Sequence, residues 1–305
     1  MNTFIRAVEY WVPSNDRSIL EFGGGLYGSA TRFAAISRDL CFGRGEGLPG
    51  QAWELGHPVV LKEFEGSYFR RISAARADGL TCGIAVPIFA GDFLTSVMVI
   101  FCGDDEERAG AIELWHNDPA ASYDMTLADG YYGNTGDTFE FISRSTSFRQ
   151  GIGLPGMAWE AQVPIFIENL GKGSGFLRAD SAVKVGINRG FAMPCSSPGN
   201  QNYVMAFLSA LATPIAQRVE IWLPDAGRER LVRSHGFSEA EGMLGPLKDG
   251  VARGEGPIGQ AFLTGVPAVA EGSADAADGS DDRLSVAAIP VIRDGRLNAV
   301  LSLHF

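Results

Sequence analysis

The residues with the first claim to chemistry are glycines at fixed spacing. Gly45-Glu46-Gly47-Leu48-Pro49-Gly50-Gln51-Ala52-Trp53 returns as Gly151-Ile152-Gly153-Leu154-Pro155-Gly156-Met157-Ala158-Trp159. A worn third copy is Gly254-Glu255-Gly256-Pro257-Ile258-Gly259-Gln260-Ala261-Phe262. Each spells G-x-G-x-x-G, the spacing with which a backbone cradles a dinucleotide pyrophosphate, and Glu63 and Glu168 follow as an acidic residue would. That chemistry needs a buried apolar strand running into the first glycine. Here the lead-ins, Ser37-Arg38-Asp39-Leu40-Cys41-Phe42 and Ser143-Arg144-Ser145-Thr146-Ser147-Phe148, are polar. Pro49 and Pro155 suit the first turn of a helix, where a missing N–H costs nothing. The glycines therefore mark a turn into a helix and not a cofactor cradle.

Other reactive types are scattered. Cys41, Cys82, Cys102 and Cys195 form no C-x-x-C pair and do not recur between copies, which argues against a zinc or disulfide framework and fits buried thiols in a reducing compartment. His57, His116, His235 and His304 do not recur either. With no G-x-S-x-G, no H-E-x-x-H and no P-loop lysine, the chain reads as a non-enzyme. Arginine behaves differently. Arg71 and Arg178 share one slot of the repeat, where a guanidinium could hold a carboxylate, phosphate or nitrate bidentately, or simply brace a helix.

Composition bounds the partners. The 305 residues are 46% apolar and 20% charged, the balance of an ordinary globular protein. A net charge of −11 excludes nucleic acid, whose nonspecific binding is driven by clustered lysine and arginine. No window approaches the roughly 18 apolar residues of a membrane span, and the start lacks a signal-peptide core. The expectation is a cytoplasmic protein with no membrane partner.

The repeat period of about a hundred residues is that of a small domain used three times. The expected units are 1–105, 106–212 and 213–305. Each opens with an E-x-W strand (Glu9-Tyr10-Trp11, Glu113-Leu114-Trp115, Glu220-Ile221-Trp222), whose tryptophans read as core anchors. A second strand follows, with Gly23-Gly24-Gly25 read as a turn. Short helices are expected over Gly50–Leu55 and Gly156–Ala161, then strands at Pro58, Pro164 and Pro267. Phe69–Gly79 and Phe176–Gly186 read as helices closed by glycine. Each unit closes with a hairpin, clearest across Arg293-Asp294-Gly295. The third unit lacks the Phe-x-Arg helix and carries a small, acidic loop from Gly272 to Asp282 in its place. Short connectors, about Gly103 to Gly110 and Leu211 to Ala216, predict a rigid array.

This order of elements resembles the GAF domain, the small-molecule sensing module of phosphodiesterases, phytochromes and bacterial signalling kinases. The likeness covers nearly the whole chain as three copies, the third degenerate; the same segment is also similar to the sensory region of NIN-like plant nitrate regulators. The resemblance implies an α+β fold, with each domain a central antiparallel sheet of about six strands flanked by short helices. It places a ligand between sheet and cover helix, at positions matching Trp53, Tyr68, Phe69 and Arg71 in unit one and Trp159, Phe176 and Arg178 in unit two. It disfavours bilin, since no histidine adjoins Cys82, and haem, since no histidine recurs; the ligand's identity stays open, cyclic nucleotide included. The implied function is a non-catalytic sensor that binds a small molecule or small anion and signals to a protein partner or by self-association. Two alternatives stand beside it. One is a ligand-free structural or partner-binding scaffold, and the other a thiol enzyme like the GAF branch that reduces free methionine sulfoxide.

Overall fold

The computed structural model describes residues 3–103, 108–171, 175–273 and 283–305. Its strands form three antiparallel sheets. The first comprises β1 (Ile5–Pro13), β2 (Ile19–Leu26), β3 (Cys41–Gly43), β4 (Val59–Leu61), β5 (Leu80–Ala90) and β6 (Phe93–Gly103), in the order β3-β2-β1-β6-β5-β4. Its helices are α1 (Thr31–Arg38), α2 (Gly47–Leu55) and α3 (Ile72–Ala77). The second repeats this order with β7 (Gly110–Asn117), β8 (Asp124–Tyr132), β9 (Ser147–Arg149), β10 (Ile165–Ile167), β11 (Ile187–Cys195) and β12 (Asn202–Ala210), covered by α4 (Gly136–Arg144), α5 (Gly153–Ala161) and α6 (Ala179–Lys184). The third has seven strands: β13 (Arg218–Pro224), β14 (Arg230–Ser238), β15 (Gly242–Leu244), β16 (Leu247–Ala252), β17 (Ala268–Ala270), β18 (Val286–Arg293) and β19 (Arg296–His304), with α7 (Gly256–Thr264).

The repeated Leu-Pro-Gly element starts a helix in each sheet, as its glycines and prolines require. Gly47, Gly153 and Gly256 are left-handed (φ 59°, 66° and 59°), and a side chain on Gly50 or Gly156 would meet a carbonyl oxygen at 2.1 or 2.2 Å. The hairpin over Asp294 and Gly295 has both residues left-handed (φ 50° and 73°), the two-residue turn that suits strand twist. Gly23-Gly24-Gly25 is not a turn. These glycines lie inside β2, where the Tyr10 ring presses on Gly23 and Tyr27 on Gly25, leaving no room for a side chain. Helices α1 and α4 go beyond the elements expected from sequence. The expected acidic loop falls largely on 274–282, and the middle of the first connector on 104–107, both outside the described residues.

Each sheet is apolar on both faces, which is why its closing strands read as near-continuous apolar runs. One face takes its own helices: Phe101, Val99 and Ala85 pack against Leu48, Ala52 and Phe33. The other faces meet in one shared core, with Ile84 and Ile100 from the first sheet, Phe191 and Met205 from the second, and Ile289 and Leu301 from the third. The contacts run in a cycle. The first sheet meets the second through Lys62 and Asp129 (2.8 Å). The second meets the third through the stacked Phe166 and Phe237 (5.4 Å) and Arg189 with Glu239 (2.7 Å). In the third contact Val269 of β17 lies over Gly24 of β2. The helix C-caps repeat the cycle: the carbonyls of Gly56, Gln162 and Gly265 accept from Ser197 Oγ (2.9 Å), Asn298 Nδ2 (3.2 Å) and Thr95 Oγ1 (3.3 Å) of the next sheet. A head-to-tail contact used three times has closed into a ring.

Candidate functional site

The E-x-W strand places Ala7, Glu9 and Trp11 on one face of β1, the face that looks towards the helices. A glutamate there must find a partner, because a bare buried carboxylate costs far more than it returns. It finds several. Arg71, the N-cap residue of α3, donates from Nη1 to Glu9 Oε2 (2.8 Å) and from Nη2 to Oε1 (2.6 Å), the two-pronged match of guanidinium and carboxylate. Trp11 Nε1 donates to Oε1 (2.9 Å) and the Tyr27 hydroxyl to Oε2 (2.9 Å). Arg71 also donates to Ser37 Oγ (2.5 Å) on α1. The guanidinium lies 4.3 Å from the Phe33 ring centroid and 5.4 Å from those of Phe69 and Phe101. Both charges are withdrawn from water.

The second sheet and its helices build the same cluster. Arg178, N-cap of α6, donates to Glu113 Oε1 (2.5 Å) and Oε2 (2.8 Å) and to the Ser143 hydroxyl. Trp115 Nε1 (3.1 Å) and the Tyr132 hydroxyl (3.0 Å) complete the carboxylate's shell. Burial pushes Glu113 upward, but Arg178 and the hydrogen bonds around it win, holding the carboxyl below its ordinary value. Burial, then the adjacent carboxylates, push the Tyr27 and Tyr132 hydroxyls far up, so both remain donors. In the third sheet, β15 and β16 follow β14 where a helix stands in the other two. Glu220 there is met by Arg218 (2.8 Å), Arg233 (2.6 Å), Trp222 (3.2 Å) and His304 (3.3 Å), and despite burial these partners hold it well below the usual carboxylate range.

The positions matching the GAF pattern thus divide. Phe69 with Arg71, and Phe176 with Arg178, gather around the buried pairs; the carboxylate that each arginine grips comes from the chain itself. Trp53 is half-buried against the outer core of the first sheet. Tyr68, 38% exposed, lines with Phe69, Arg44 and Arg70 a surface cleft of about 550 Å³. Trp159 opens on a cleft of about 730 Å³ at the junction with the third sheet, beside Tyr123 and Gln162. Between β4 and α3 lies a further cleft of about 440 Å³, walled by Phe64, Ile72 and Leu80 and rimmed by Lys62, by Glu63 and by Arg76, which pairs with Glu65. Sequence reasoning missed Glu9, Glu113, Tyr27, Tyr132, Ser37 and Ser143. The signal was present: a glutamate on the apolar face of every opening strand demands a counter-charge, and Arg71 and Arg178 recur in step with it. Burial pushes the Cys195 thiol up to about 12, so it is an inert core residue at neutral pH. Among the described residues no group of three or more His, Cys, Asp or Glu could hold a metal ion. No helix among them is long and apolar enough to cross a membrane.

No family model matches the chain, and no curated protein matches it in sequence. Solved structures resemble parts of it. The nlh2 GAF domain of A. aeolicus in an inactive state is 20% identical, covering 34% of this chain and 60% of its own, with a TM-score of 0.27. The free methionine-R-sulfoxide reductase of Neisseria meningitidis, solved with its substrate, is 18% identical over 34% of this chain and 57% of its own, with a TM-score of 0.27. NreA of Staphylococcus aureus, mutated in its nitrate binding site, is 18% identical over 36% and 80%, with a TM-score of 0.28. The chain spans less than two thirds of the first two structures' own lengths.

Proposed function

We propose that the chain is a non-catalytic sensory protein of three GAF-like units, 1–105, 106–212 and 213–305, and that unit one takes a small anionic ligand between β4 and α3. The observation that carries this reading is the cleft of about 440 Å³ beneath α3, with apolar walls and a charged rim where Lys62 and Arg76 stand beside Glu63 and Glu65. A pocket needs that combination of apolar bulk and few directed charges. Its position couples it to the ring. Lys62 is the residue that bridges to Asp129 of the second sheet, so a ligand anion competes for that bridge. Ile72, on the cleft wall, is the first residue of α3, next to the Arg71 cap that ties this helix to β1. A ligand that prefers one setting of α3 and Lys62 shifts the population of ring geometries. Exposed Phe141, Leu177 and Val183 on and beside α4 and α6 of unit two offer a protein partner an apolar surface.

A specific observation favours a second reading, a scaffold without ligand: internal carboxylates already occupy Arg71 and Arg178 under the cover helices. Native mass spectrometry, gentle then denaturing, separates the two. The sensor reading expects a small molecule released on denaturation from the wild type and missing from Ile72→Trp, which fills the cleft without touching the Arg71 pair. A clean mass, followed by a blank thermal-shift screen of small anions and nucleotides, would establish the scaffold instead.

A further inference from the structure

The ring has a second junction that departs from its repeats. Where the third sheet meets the first, Arg228, Arg253 and Arg296 line one cleft of about 330 Å³, closed by Thr95 of the first sheet and by Thr264 and Gly265 at the end of α7. No carboxylate among the described residues pairs with any of the three. Arg228 donates to the Leu297 carbonyl (2.5 Å), and Arg253 donates to the Arg228 carbonyl (3.3 and 3.2 Å) while its guanidinium lies 4.3 Å from the Phe262 ring centroid. A guanidinium carries five donors, so most of theirs find no acceptor in the described protein. The last carbonyls of α7 offer about half a negative charge against three positive ones. The residues that line the cleft include these three arginines and no carboxylate, in a chain of net charge −11.

Internal comparison isolates what is unusual. At the matching junction of the second and third sheets, Arg149 pairs with Asp124 (3.2 Å) and Arg293 lies beside Asp294 (3.5 Å). In the first sheet Arg17, in the same left-handed turn as Arg228 (φ 58° and 56°), stacks on Phe93, the residue that opens β6. In the third sheet β19 opens instead with Arg296, so no aromatic ring stands at that position and both arginines line the same cleft. A left-handed non-glycine residue is strained and persists where the surroundings hold it.

We infer that the cleft between the third and first sheets binds a compact polyanion, a phosphate or the phosphoryl group of a small metabolite, through Arg228, Arg253 and Arg296. The ligand supplies the acceptors and negative charge that the protein withholds, and it bridges the two ends of the ring. This site is separate from the cleft under α3. Isothermal titration of the full chain with inorganic pyrophosphate, at constant ionic strength, tests it. Saturable binding is expected, weakened about tenfold or more by Arg228→Gln and again by Arg296→Gln, the loss of one charge-assisted contact each. Arg149→Gln, at the matching junction, and Ile72→Trp, in the cleft under α3, should bind as the wild type does. Absence of saturable heat, or equal affinity in the Arg228→Gln/Arg296→Gln variant with its melting temperature preserved, overturns the assignment.

Discussion

Replacing Arg71 by methionine separates a ligand-gripping arginine from a structural one. The substitution keeps the apolar bulk against Phe33, Phe69 and Phe101 but leaves the Glu9 carboxylate fully buried, with only Trp11 Nε1 and the Tyr27 hydroxyl donating to it. Breaking a buried pair by removing one partner costs about 3–5 kcal/mol, because the remaining charge is uncompensated. Glu9→Gln strands the guanidinium in the same way and should cost a similar amount. The double variant Glu9→Gln/Arg71→Met holds no charge; its amide oxygen accepts from Trp11 Nε1, and its amide nitrogen can donate to the Tyr27 hydroxyl oxygen. It should be more stable than either single variant, the sign of coupling expected for two groups in direct contact. Urea unfolding followed by tryptophan fluorescence gives the comparison, since Trp11 sits in the cluster. If Arg71→Met unfolds within about 0.5 kcal/mol of the wild type, as a surface substitution would, the pair does not hold the fold. An additive double variant would equally refute the reasoning.

Three further outcomes follow from the same geometry. Glu113 and Glu220 are held below the ordinary value of 4.5, so the stability they contribute is complete above that pH and is lost as pH falls through the range beneath it; the urea midpoint of Glu220→Gln should decline less steeply between pH 5 and pH 3 (about one to two units around that value), and an unchanged slope contradicts the assignment. Gly156→Ala forces a methyl to 2.2 Å from the Arg149 carbonyl and should cost about 1–3 kcal/mol by urea unfolding, whereas Gly227→Ala, whose nearest neighbours lie 3.9 Å away, should stay within about 0.5 kcal/mol. Alkylation of the native protein near pH 8, read by mass spectrometry, should mark exposed Cys41 quickly and reach Cys195 only after unfolding; fast native labelling of Cys195 contradicts its burial.

Much of the local structure was legible because local rules decide it. Left-handed glycines and a proline near N1 announce α2 and α5, and Gly79 and Gly186, both left-handed, close the cover helices where the sequence places them. Helices α1 and α4 were harder to see. Their cores rest on Phe33 with Ala34 and on Phe139, too few apolar positions for a clear helical period, and neither has a side-chain N-cap. The glycine run of β2 misled for a related reason. Glycine signals a turn when backbone freedom is its role, and here its role is to let Tyr10 and Tyr27 lie on the strand.

By itself, the sequence determined the recurring glycine-and-proline element, the helix starts, the tight hairpin at Asp294 and Gly295, and a glutamate in each E-x-W strand whose need for a cationic partner sequence reasoning missed. Those features depend on backbone sterics, side-chain periodicity and the cost of a buried charge, all readable within a few residues. Only the tertiary structure decided that the partner of Glu9 is Arg71, 62 residues on, and not an arriving anion. It also decided that the three sheets turn their second apolar faces to one common core and close head to tail. A strand that is apolar on both sides states that both faces are covered, but not by what. That choice rests on contacts between segments far apart in the chain, which form only when all three sheets are in place.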